Sequence, residues 1–340
     1  MVEARKLPLS DGWVLVPRER AARPHDFRPA EAVRLPTRCP FCAGHEAETP
    51  DPLAVYPAGA TADWQVRVVP NKYPAVLPLP PLDSRAARRR HVRPPSDHAE
   101  LLPPPSPALG QGPHEVIIES PRHVTQYADL TVREAQWAWQ AYRDRLCAHR
   151  ADPRLACSLV FRNSGIAGGA SLEHVHSQII SSTWIPSALQ TELRYATRWH
   201  EQEGECLYCR LLQGELDAGR RIVAETRSLV AWCPYASRFA YETWIAPRKH
   251  LADFSTTSDR LLSEVARLAR DVIGRIERLP GRPGYNFWLH TAPWRRDVAA
   301  SFHWHVEIAP RIAFQAGFEW GGGDFINAVP PEDAAATLRG

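Results

Sequence analysis

The sequence predicts an α+β fold made of one unit used twice, each unit an antiparallel sheet with a helix. Three observations predict it. A Cys-x-x-Cys occurs twice, at Cys39-Pro40-Phe41-Cys42 and Cys206-Leu207-Tyr208-Cys209. A lone histidine then closes an apolar run in each half, His123 after Ser120-Pro121-Arg122 and His250 after Pro247-Arg248-Lys249. A His-x-His opens a later apolar run in each half, His174-Val175-His176 and His303-Trp304-His305. The spacings agree: His123 and His174 stand 51 positions apart, His250 and His303 stand 53 apart, and each lone histidine precedes a helix-capping residue by 8 positions. Residues 1–186 hold the first set and residues 187–340 the second, so the units are placed at these bounds.

In chain order, Trp13 to Val16 reads as a short strand, followed by a basic segment with Arg18, Arg20 and Arg23. Residues 64–76 read as a strand that breaks at Pro70 into Asn71-Lys72-Tyr73-Pro74. Residues 77–112 are rich in Pro, Arg and Ser, lack a hydrophobic period and read as a surface loop. This loop has no counterpart in the second half and accounts for the longer distance from Cys39 to His123 than from Cys206 to His250. Residues 114–119 form a strand, and Thr131-Val132-Arg133-Glu134 reads as a capping box. The helix it opens carries Ala135, Ala138, Trp139, Tyr142 and Leu146 on one stripe and runs to about residue 148. Strand 156–162, a glycine turn and the strand of His174 to Ile180 follow. A connecting helix is read at 187–203. In the second half, strands are read at 229–233, 241–246 and 285–290 and at the run containing His303 and His305. An amphipathic helix starts near Ser258.

Composition excludes several classes. The net charge of +3 is too small for a protein that grips a nucleic-acid backbone. No apolar run reaches the roughly 18 residues of a membrane span, and the first residues carry no apolar signal core. A cytoplasmic location is expected, where the 7 cysteines stay reduced and paired cysteines point to metal.

Two cysteines and two histidines form a closed tetrahedral zinc set. The first set is Cys39, Cys42, His123 and His174; the second is Cys206, Cys209, His250 and His303. The competing reading of the second set is a metal-free remnant with two small buried cysteines. Cys147, Cys157 and Cys233 are expected in the core. On a strand, His174, His176 and Gln178 share a face. His176, free of the metal, suits nucleophilic attack on phosphorus. Gln178 can donate hydrogen bonds to phosphoryl oxygens, and an amide offers no proton to water, which favours transfer over hydrolysis. Ser171 and the N–H groups of the Gly168-Gly169 turn can hold phosphate.

These residues carry a resemblance. Gly168 to Gln178 (GGASLEHVHSQ), the CPFC upstream, the histidine after SPR and the duplicated pattern resemble the galactose-1-phosphate uridylyltransferase family, a branch of the histidine-triad superfamily. Two tandem histidine-triad-like units, packed as one duplicated structure, are what the resemblance implies. So is a ping-pong reaction in which a nucleotidyl group passes from a nucleotide sugar to His176 and then to a sugar 1-phosphate. It further implies that Arg20, Arg23, Asn71, Asn163 and Ser171 contact nucleotide or phosphate, that Phe318 and Glu319 meet the sugar, and that the protein is a homodimer. The His174-to-His176 segment lacks the prolines of many family members. In this it also resembles plant-type ADP-glucose phosphorylases, which keep cysteines in the second metal site. The leading expectation is UDP-glucose–hexose-1-phosphate uridylyltransferase, with ADP-glucose phosphorylase or adenylyltransferase as the alternative. A zinc-stabilised nucleotide-binding module without catalysis is the third reading.

Overall fold

The structure, a computed structural model, describes residues 2–17, 38–60, 63–81 and 110–340. Arg20, Arg23 and most of the 77–112 loop lie outside the described residues. In the first half the strands are β1 (Val2–Lys6), β2 (Trp13–Pro17), β3 (Ala54–Tyr56), β4 (Val66–Pro70), β5 (His114–Ile118), β6 (Cys157–Ser164) and β7 (His176–Ser182). The second half has β8 (Ile222–Glu225), β9 (Leu229–Trp232), β10 (Thr243–Pro247), β11 (Tyr285–His290), β12 (His305–Pro310) and β13 (Phe325–Ile326). The helices are α1 (Val132–Arg150), α2 (Ser187–Glu203), α3 (Leu207–Ala218), α4 (Asp259–Glu277), α5 (Gly317–Gly322) and α6 (Pro331–Arg339).

Ten strands form one antiparallel sheet in the order β3-β4-β5-β7-β6-β11-β12-β10-β9-β8. Read outward from the centre, each half presents the same order, and the halves meet where β6 pairs with β11, Asn163 opposite Asn286. The repeat seen in the motifs is thus a repeat of topology. β1, β2 and β13 form a separate small sheet.

Both long helices cover the same face of the large sheet. The stripe of α1 (Ala135, Ala138, Trp139, Tyr142, Leu146) packs in one apolar cluster with Val66, Val68, Ile117, Val160 and Ile179, and with Val265, Val272 and Ile276 of α4. The capping box at Thr131 forms as expected, with Glu134 N–H donating to Thr131 Oγ1 at 3.1 Å and Thr131 N–H donating to Glu134 Oε2 at 2.7 Å. Cys157 and Cys233 are buried, but Cys147 is exposed. It follows Leu146 by one position, about 100° around the helix, and so leaves the apolar stripe.

The opposite face differs between the halves. In the second half α2 and α3 lie on it, with Leu189, Leu193, Leu207, Tyr208 and Leu212 packed on Trp232 and Trp244. In the first half the same face carries a small cluster of Trp64, Val69, Val116 and Ile118 with Phe41 beside it, and no described helix covers it. Among the described residues, no helix is long and apolar enough to cross a membrane. The base of the 77–112 loop is pinned by Leu77 N–H to Gly110 O at 2.8 Å and Gly112 N–H to Leu77 O at 2.9 Å. At Gly112 (φ +156°) an added Cβ would sit 1.8 Å from the Ser181 carbonyl oxygen, so no side chain fits there.

Candidate active site and metal centres

The face of the first half that no described helix covers carries His176 and Gln178. β7 starts at His176, so His176 and Gln178 share this face while His174 lies in the bend just before the strand. The second half repeats the offset, with β12 starting at His305 and His303 preceding it. The first histidine of each pair therefore leaves the ladder.

His174 instead joins Cys39, Cys42 and His123 in a group whose ligand atoms all lie within 4.8 Å of one another. His174 Nδ1 stands 3.5 Å from Cys39 Sγ and 3.6 Å from Cys42 Sγ, and His123 Nδ1 stands 3.4 Å from Cys42 Sγ. Ligands on a tetrahedral zinc are roughly 3.3–3.8 Å apart, so the cage has the right size. His174 Nε2 meets the Ser120 carbonyl at 2.9 Å. A carbonyl can only accept, so Nε2 carries the proton and Nδ1 keeps its lone pair toward the thiols. Burial pushes the His174 pKa down to about 4, which favours the neutral, ligating form.

The second group, Cys206, Cys209, His250 and His303, repeats the arrangement. Cys209 Sγ lies 3.4 Å from both His250 Nδ1 and His303 Nδ1. His250 Nε2 donates to the Ala299 carbonyl at 2.7 Å, so its Nδ1 also faces the thiols unprotonated. A difference from the first group is that Cys206 is the N-cap residue of α3, a helix the sequence reading did not assign.

A third group was missed from sequence: Glu192, His290, His305 and Glu307, all buried, could also hold a metal ion. His305 and Glu307 occupy in β12 the places of His176 and Gln178 in β7. Glu192 enters from α2, 3.1 Å from His290 Nδ1. His305 Nε2 stands 3.3 Å from Glu307 Oε1 and 3.8 Å from Glu192 Oε2, and Glu307 Oε1 stands 3.4 Å from His290 Nδ1, with no hydrogen bond made by His305 Nε2 or Glu307 Oε1. The Trp244 ring stacks on His305 at 4.8 Å. Only the polar alternation His303-x-His305-x-Glu307 signalled this cluster in the sequence; Glu192 and His290 arrive by tertiary folding.

In the first half the corresponding histidine is His176. His176 Nδ1 lies 2.7 Å from the His174 carbonyl, so Nδ1 donates and Nε2 holds a free lone pair. Burial lowers the His176 pKa, the bond to His174 opposing it, which favours the neutral ring. Phe41, between the two cysteines, packs edge-on against His176 at 5.3 Å and His174 at 5.9 Å. Beneath β7, Arg162 donates to the His176 carbonyl at 3.3 Å and pairs with Glu119, which also receives the hydroxyls of Tyr142 and Ser177.

Asn71, at the end of β4, reaches Gln178: its Nδ2 lies 3.3 Å from Gln178 Oε1. Asn163, on β6, accepts from Asn286 Nδ2 at 2.8 Å, and Asn286 also donates to the Gly168 carbonyl at 2.7 Å. Gly168 packs closely on the protein's own backbone: a Cβ there would stand 2.7 Å from the Tyr285 carbonyl oxygen. Ser171 is exposed beside this turn. Phe318 and Glu319 lie on α5, where Glu319 Oε2 accepts from Ala316 N–H at 2.9 Å. Glu319 lines a cavity of about 260 Å³ with Arg238, Phe239 and Phe325, and neither His176 nor Gln178 borders it.

A duplicated antiparallel unit, a Cys/His cage and a free imidazole on a strand define an enzyme of the nucleotidyltransferase class built on histidine-triad-like units. The chain belongs to the galactose-1-phosphate uridyl transferase family, whose N-terminal domain it matches over residues 1–186. It is 30% identical over 342 residues to the ADP-glucose phosphorylase of Arabidopsis thaliana, covering 99% of this chain and 92% of that one. It is 27% identical over 351 residues to the galactose-1-phosphate uridylyltransferase of Thermotoga maritima, covering 100% and 98%. The crystal structure of an ADP-glucose phosphorylase from Arabidopsis thaliana with bound ADP-glucose superposes with a TM-score of 0.83 at 29% identity, covering 100% of this chain and 98% of that one. A uridylyltransferase structure gives 0.72 at 26% identity, covering 100% and 97%.

Proposed function

We propose that the protein moves a nucleotidyl group from a nucleoside-diphosphate hexose to His176 and on to a phosphate-bearing acceptor. The observation that carries this reading is the His176 tautomer, with Nδ1–H spent on the His174 carbonyl and Nε2 open. In the first step Nε2 attacks the α-phosphorus, a P–N bond forms, and the bond to the bridging oxygen breaks. Hexose 1-phosphate leaves without needing a proton. In the second step an acceptor phosphate oxygen attacks the same phosphorus and the P–N bond breaks, returning neutral imidazole. Gln178 donates to the phosphoryl oxygens as charge develops there.

In this reading Asn71, Asn163 and Ser171 hold the nucleotide and its phosphates, and Arg20 and Arg23 add charge from outside the described residues. Zinc is the metal of both cysteine-containing groups. With four protein ligands each, these sites supply folding energy and keep Phe41 against His176, away from Lewis-acid chemistry. The second half serves as scaffold, because α2, α3 and Trp244 close over His305. Exposed Phe318 and Trp320 on α5 are apolar surface of the kind a second copy covers, in line with a cytoplasmic homodimer in which Phe318 and Glu319 serve a neighbouring site.

Two donors fit. The ADP-glucose reading, with inorganic phosphate as acceptor, is supported by the higher full-length identity and TM-score of the Arabidopsis relative. The UDP-glucose reading, with galactose 1-phosphate as acceptor, is supported by the family match and the Thermotoga relative. The test is intact-protein mass spectrometry after mixing with each nucleotide sugar and no acceptor. The expected result is one covalent nucleotidyl group, AMP or UMP according to the donor used, absent in His176→Ala and discharged by the matching acceptor. An adduct that persists in His176→Ala would overturn the assignment of the nucleophile.

A further inference from the structure

His114 opens β5, and no motif in the sequence signals it. Its ring lies between the turn after β4 and Gln178. Ala75 N–H donates to His114 Nδ1 at 3.0 Å. A backbone N–H can only donate, so Nδ1 is an acceptor and the proton of the neutral ring must sit on Nε2. Burial lowers the His114 pKa, against the opposing contribution of Gln178, which favours the neutral ring. His114 Nε2 is 2.9 Å from Gln178 Oε1.

Asn71 lies against the same pair. Its Oδ1 accepts from Tyr73 N–H at 2.8 Å, so its Nδ2 end is the one facing inward. That Nδ2 lies 3.3 Å from Gln178 Oε1 and 3.0 Å from His114 Nε2. Two donors cannot bond each other, so both must point at the one acceptor in the triangle. The Gln178 atom in that corner is therefore oxygen and cannot be the amide nitrogen. The end of an amide is fixed by such hydrogen-bond logic and by little else. With Oε1 held by two donors, the Gln178 NH₂ is the group left for the ligand side of the face it shares with His176.

We propose that His114 is a positioning residue for nucleotidyl transfer, holding the Gln178 amide with its NH₂ toward the phosphoryl group on His176. This rests on the nucleotidyl-transfer reading. Without His114 the amide rotates more freely, and its carbonyl oxygen can face the phosphoryl oxygens, where it repels the developing charge. The Ala75 contact also ties this orientation to the Asn71–Val76 turn, so the turn and the amide are set by one ring.

The test uses the full-length protein and the donor that labels the wild type. His114→Ala should lower kcat about tenfold or more, the scale of a misplaced oxyanion donor, with the donor KM within about threefold. His114→Gln keeps a donor at similar reach and should recover most of the loss. In a Gln178→Ala background, where there is no amide to orient, His114→Ala should cost less than about threefold. Thermal melts of each variant separate misfolding from mispositioning. A kcat within threefold of wild type, a raised KM with kcat kept, or losses that multiply in the double variant would each overturn the proposal. Failure of the wild type to form any adduct would instead strike the transfer reading, and the proposal would fall with it.

Discussion

At the scale of single residues, the site depends on which nitrogen of each imidazole carries the proton. Backbone carbonyls decide this for His174, His176 and His250, each donating one ring N–H to a carbonyl oxygen. The result is opposite roles two residues apart: His174 turns its free Nδ1 toward thiols, and His176 turns its free Nε2 toward the open face. Metal measurement tests the division. Purified protein should carry two zinc ions per chain from the cysteine-containing groups. His174→Ala should lose one and melt at lower temperature, because structural metal binding is folding free energy. Cys209→Ser should lose the other, and His176→Ala should lose none. An unchanged metal-to-protein ratio in His174→Ala, measured by elemental mass spectrometry, would refute the first ligand set.

At the scale of elements, the N-terminus of α1 does more than start a helix. Glu134 closes the capping box at Thr131 and also receives Ser120 Oγ at 2.7 Å and Arg122 Nη2 at 2.6 Å. Ser120 and Arg122 belong to the segment that presents His123, so the cap anchors a candidate metal ligand. Arg122 is half exposed, and its ion pair with Glu134 adds little to stability by itself; the bond from Ser120 is buried and those with Thr131 are part-buried. Burial would raise the Glu134 pKa, but the bonds from Arg122, Ser120 and Thr131 outweigh it and hold it below its usual 4.5. A carboxylate with a depressed folded pKa contributes stability above pH 4.5, and this is lost as pH falls through the folded value. Thr131→Ala should cost about 1 kcal/mol. Glu134→Gln should melt below wild type at pH 7, and the gap should narrow at pH 4 and below. A gap that does not change between these pH values, read by thermal melts, would show that the charge on Glu134 is not what matters.

At the scale of the whole molecule, the two units are not separable bodies. β6 and β11 pair along the middle of one sheet, and α1 and α4 share a core with residues of both halves. Glu277 of α4 accepts from Tyr127 N–H at 2.8 Å and Ala128 N–H at 3.0 Å, across the division between units. Gly274 sits under Ala128, where an added Cβ would come within 3.1 Å of the Ala128 Cβ. Removing residues 187–340 would expose the β6 edge and strip the α4 side of the core. Calorimetry should therefore show one unfolding transition, and a 1–186 fragment should fail to give a cooperative melt. Two resolved transitions, or a stable fragment, would refute this.

The sequence by itself determined the class of fold, the duplication, the capped helix at Thr131 and the grouping of eight Cys and His residues into two sets. These are legible because local chemistry repeats at fixed spacing: a Cys-x-x-Cys, a strand-end histidine and a His-x-His have few other uses together. What the tertiary structure alone decided is which half of the duplicated face the described helices leave uncovered. α2 and α3 bury His305 and bring Glu192 to it, whereas no described helix covers His176. It also decided the direction of the Gln178 amide, through His114 and Asn71, and the departure of Cys147 from the core. Such outcomes depend on contacts between segments far apart in the chain, and on which end of a side chain meets a donor, and neither leaves a period or a motif to read.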